Sequence, residues 1–100
     1  MLAQDEFSIA PYAQLNHGER LHRVDLLAAT ISSLAFYVAE IGDSVTVRSL
    51  LDIGWMLKVM REDLAADCSS SNLTIIDNAV RLVRTIKAHC QEHFTMRTIH

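Results

Sequence analysis

The segment best equipped for chemistry is His89-Cys90-Gln91-Glu92-His93. It fits an H-x-x-E-H spacing, and histidines at i and i+4 project from one helix face, where both can ligate a zinc ion. A catalytic zinc needs a further protein ligand. Only seven residues follow His93 and none is Asp or Glu, which leaves His100 or Cys90 to complete a site beside a chain end. A solvated helix end, where a cationic histidine favours the C-terminal dipole, accounts for the same residues. No metal site is expected from them.

Other reactive groups fall into less suggestive contexts. Cys90 has His89 and His93 nearby as bases, but the apolar period places it on a core-facing side, so packing is expected and not nucleophilic catalysis. Ser69-Ser70-Ser71 is loop composition without a Gly-x-Ser-x-Gly elbow, and there is no phosphate-binding glycine-rich loop. His17 and His22 are five apart and share no helix face, and with Arg20 and Arg23 they read as solvated surface. Arg81, Arg84 and Lys87 can reach phosphates from one helix face, a small footprint for nucleic-acid binding. No catalytic residue and no cofactor is expected.

The elements that position these groups follow from composition. In 100 residues, three glycines and one proline leave few turns, and half of the residues are hydrophobic. These features predict one all-α domain with long helices. So much apolar content in so small a chain exceeds what its interior can hide, and self-association is the commonest cover. The net charge of −3 argues against non-specific nucleic-acid binding. Residues 68–100, with four basic and two acidic groups, are the only net-basic third. Cys68 and Cys90 are expected too far apart to bridge, and reduced thiols fit a cytoplasmic protein. The first residues, with early acids, are unlike a signal peptide, and the uncharged run from Leu26 to Ala39 reads as too short and too polar for a membrane span.

Three long helices in an up-down-up arrangement are predicted. Residues 1–15 form an arm with Phe7, Ile9, Tyr12 and Leu15, expected to pack on a neighbour. Helix one covers 18–41, with Asn16 and Glu19 as a capping box and Gly42 as its stop. Val24, Ile31 and Val38 at heptad a, with Leu27, Leu34 and Ile41 at d, predict the seam of a dimer. Helix two covers 45–66, capped by Asp43 or Ser44, with a core stripe of Leu50, Ile53, Leu57, Met60 and Leu64. A second stripe, Leu51, Trp55 and Val59, is predicted to bind a partner, extended by Phe36, Tyr37 and Met56. Helix three covers 73–94 after a loop at 67–72, and residues 95–100 are expected to fray. A homodimer completing a helical bundle is expected.

The run Phe7-Ser8-Ile9-Ala10-Pro11, leading into a small-residue hairpin through Leu26-Leu27-Ala28-Ala29 and Met56-Leu57-Lys58-Val59-Met60, resembles short bacterial helical-hairpin proteins known only as a domain of unknown function. The resemblance spans residues 7–66. In size, acidity and dimeric helical class the chain is similar to quorum-sensing anti-activators, which bind LuxR-type transcription regulators and block their dimerisation. That class resemblance carries over no functional residue. It implies a small regulatory module binding a transcription regulator. The rival expectation is a nucleic-acid-binding helical dimer using the basic face of helix three.

Overall fold

The computed structural model describes the backbone of residues 11–99 and the side chains of residues 11–91. Four α-helices follow a short 3-10 turn at Tyr12–Gln14: α1 His17–Ile41, α2 Ser44–Val59, α3 Arg61–Ala66 and α4 Ser70–Ile99. The all-α class is therefore observed. The count of three helices is corrected to four, because the segment expected to run unbroken from 45 to 66 breaks at Met60.

Local chemistry sets the ends of α1. The Asn16 side chain accepts from the Glu19 amide at 2.8 Å, and the Glu19 carboxylate accepts from the Asn16 amide at 2.9 Å. Each bond satisfies an amide that the first helical turn leaves without a partner. At the other end Gly42 sits at φ 95°, and its amide donates to Val38 and Ala39. That backbone region excludes most side chains, so glycine is the natural stop. Only Asp43 separates Gly42 from α2. Its carboxylate accepts from the Thr46 amide and hydroxyl, capping α2 and holding its own pKa below the usual carboxylate value.

The break at Met60 has no sequence breaker behind it. Met60 adopts φ −93°, ψ 9°, and its carbonyl still accepts from Leu64. The turn re-aims the chain onto α1. Arg61 then grips Asp25 with two bonds, at 2.6 and 3.0 Å, while Leu64 and Ala65 become fully buried. Arg20 donates to the carbonyls of Ala65 and Leu15, both at 2.6 Å, and the Tyr12 hydroxyl donates to Leu64 at 2.9 Å. These donors satisfy carbonyls at the end of α3 that no further helical turn serves. Arg20 is thus half-buried structure, a correction to the solvated surface expected of it. Tyr12 packs within its own chain, and the rest of the expected arm, residues 1–10, lies outside the described residues.

The third predicted helix begins three residues early. The Ser69 hydroxyl accepts from the Asn72 amide at 3.3 Å and so acts as its cap. Asn72 also donates to the carbonyls of Asp63 and Asp67, tying the start of α4 to the end of α3. The backbone stays helical to Ile99, beyond the predicted end at 94.

The heptad face of α1 is the centre of the chain's own core. Val24, Leu27 and Ile31 are fully buried, Leu34 and Val38 nearly so, and Ile41 is half-buried. Leu50, Leu57 and Leu64 meet this face from α2 and α3, and Ile76, Ala79, Val83 and Cys90 meet it from α4. These six residues, expected to form a seam between two chains, pack here in and against the core of their own chain. Gly54 lies at the α1–α2 contact, where an added Cβ would come 3.3 Å from Ile31 Cγ2. The close approach of the two backbones depends on that missing side chain.

Candidate protein-docking face

Exposed apolar side chains concentrate on one flank of the α1–α2 hairpin. Ile53 and Met56 on α2, and Met60 just after it, are half-buried on one flank. Leu51, Trp55 and Val59, spaced i, i+4, i+8 on the other flank, are 54%, 69% and 63% exposed. Phe36 on α1 is 80% exposed. At 3.6 residues per turn, Leu51 and Trp55 follow the contact residues Leu50 and Gly54 by one position, and Phe36 follows Ile31 by five. In an antiparallel pair those rotations bring all three toward the same side of the hairpin. Arg48, Asp52 and Lys58 border the stripe and are exposed.

Of the six residues predicted to meet a partner, four are thus exposed together or on adjoining surface. Met56 is half-buried, and Tyr37 is 38% exposed. The structure adds Val45, a large exposed apolar residue at the start of α2 that the period of the stripe does not reach.

The chemically suggestive residues are dispersed. Cys90 is buried in the core, and burial pushes its thiol pKa up, away from the thiolate a nucleophile needs. His89 is exposed, while the side chains of Glu92, His93 and His100 lie outside the described residues. Among the described residues no cluster of three or more potential metal ligands occurs. Arg81 pairs with Asp77 at 3.3 Å and Lys87 is half-buried, so the basic face of α4 is broken up. His17 stands 3.9 Å from Glu62 on the surface. Among the described residues, α1 is long and apolar enough to cross a membrane by length and composition, and its apolar heptad face is the core face just described.

Comparison of the chain with protein-family models, with curated proteins and with solved structures yields no match.

Proposed function

We propose that this chain is a small cytoplasmic regulatory module that works by docking an apolar helix of another protein on the open face of the α1–α2 hairpin. The observation that carries the reading is the exposed stripe Leu51-Trp55-Val59 with Phe36 beside it. Tryptophan contributes heavily to protein interfaces because it buries much area with few rotors to fix. Four large apolar side chains left in water on one side of a hairpin favour a surface that is covered in use. A neighbouring helix laid along the stripe would bury them at i, i+4 and i+8 spacing, as helix-in-groove partners do. Catalysis forms no part of this reading.

The narrower form of the proposal is occlusion. By covering the dimerisation helix of a transcription regulator, a module of this kind acts as an anti-activator. The test compares native-lysate capture by the wild-type chain and by Trp55→Ala, with circular dichroism on both. The expected result is one stoichiometric protein retained by the wild type and lost by the variant at unchanged helicity. Equal retention by both would refute the docking role of the stripe.

A further inference from the structure

Resting on the reading of the open face as a docking surface, we infer that its occupant in the free protein is a second copy of this chain, docked antiparallel about a two-fold axis through Trp55. The apolar surplus of the sequence calls for self-association. The heptad face that looked suited to it is buried inside the chain. Among the described residues, the exposed apolar face offered to a second copy is the one carrying Leu51, Trp55 and Val59.

The charges around the stripe select the arrangement. Counting outward from Trp55 along α2, Asp52 and Lys58 lie three positions before and after, and Leu51 and Val59 four. Every charged residue in these pairs is matched by its opposite, and the apolar residue by another apolar one. A two-fold contact is isologous, so residue i of one copy meets the level of residue j of the other, and j meets i. With Trp55 on the axis, Asp52 comes level with Lys58 of the other copy and Leu51 with Val59, each twice. A parallel arrangement would instead set Asp52 level with Asp52, and Lys58 with Lys58. Arg48, Asp52 and Lys58 form no salt bridge with any described residue, so these charges stand ready for a second chain.

Self-association and partner capture then use the same face and exclude each other. The share of chains open to a partner falls as the concentration of the protein rises.

Sedimentation equilibrium on the full chain tests the arrangement with Asp52→Lys, Lys58→Asp and the double exchange. Both positions are exposed, and circular dichroism checks that helicity is kept. The wild type should be a dimer. Each single exchange sets like charges level twice per dimer and should weaken association about tenfold or more. The double exchange should recover most of the loss, because it restores opposite charges between identical chains. Single exchanges without effect, or a double exchange no better than the singles, would overturn the two-fold register. A wild type that stays monomeric at millimolar concentration would overturn the second copy as occupant. If that monomer still loses its protein partner on Trp55→Ala, the docking face itself stands.

Discussion

At the scale of single residues, exposure separates side chains that hold the fold from those that stand outside it. Leu57 is fully buried, and Leu57→Ala should cost about 2–5 kcal/mol in chemical unfolding through lost burial and the cavity left behind. Trp55 is larger but mostly exposed, so Trp55→Ala should change stability by no more than about 0.5 kcal/mol. The same change should weaken partner binding by about 2 kcal/mol or more if Trp55 is an interface anchor. The cysteines divide in the same way. Cys68 is half-buried and Cys90 is in the core with its pKa raised by burial. A thiol reagent should label Cys68 in the native protein and Cys90 only as fast as the chain unfolds. Equal labelling rates would mean that α4 does not seat Cys90 as described.

At the scale of elements, helix ends were the most legible feature of the sequence. Asn16, Glu19, Gly42 and Asp43 announce their roles because capping is local chemistry within a few residues. The break at Met60 was not legible. Its cause is tertiary: Arg61 reaches Asp25 thirty-six positions away, and no local propensity marks the turn. The early start of α4 was missed for a related reason. Ser69-Ser70-Ser71-Asn72 has loop composition, yet Ser69 caps a helix and Asn72 staples it to the preceding one.

The Asp25–Arg61 pair also gives a pH dependence. The Arg61 hydrogen bonds hold the Asp25 carboxyl below its ordinary value of 3.8. A folded-state pKa depressed below the unfolded one contributes stability above the unfolded value, and that stability is lost as pH falls through the folded pKa. Asp25 is half exposed, so solvent screening keeps the effect small. Asp25→Asn should lower stability at neutral pH and flatten the fall in stability below about pH 4, read from denaturant midpoints. An unchanged acid limb would show that the pair does not anchor α3. Gly54→Ala probes the α1–α2 contact in the same experiment. Helix propensity alone would add about 1 kcal/mol. Crowding against the fully buried Ile31 should cancel or reverse that gain.

At the scale of the whole molecule, the shortest dimension is 19 Å, close to two helix diameters of about 10 Å each. α4 packs mainly on α1, not on α2. That packing leaves Phe36 of α1 and Leu51, Trp55 and Val59 of α2 exposed. The sequence showed that apolar surface exceeded what one small chain can hide. The heptad face of α1 lies in the core of its own chain. The heptad pattern of Val24, Ile31 and Val38 with Leu27, Leu34 and Ile41 is the same for a seam between chains and for the centre of a single-chain bundle, because both require a narrow apolar line along one helix. The stripe of α2 was legible as a separate i, i+4, i+8 series, since it falls outside the core period. Its exposure depended on where α4 comes to rest, which no local pattern gives.

Because Trp55 is the only tryptophan, its fluorescence reports directly on the open face. The most direct test of that face as a docking surface is Trp55 emission and acrylamide quenching, measured from dilute to millimolar chain and again in the purified complex with a captured partner. The account predicts the emission of a water-exposed indole, readily quenched, in the dilute chain. It predicts a blue shift and protection from quenching when the face is covered. An indole equally exposed at every concentration and in the complex would contradict the account.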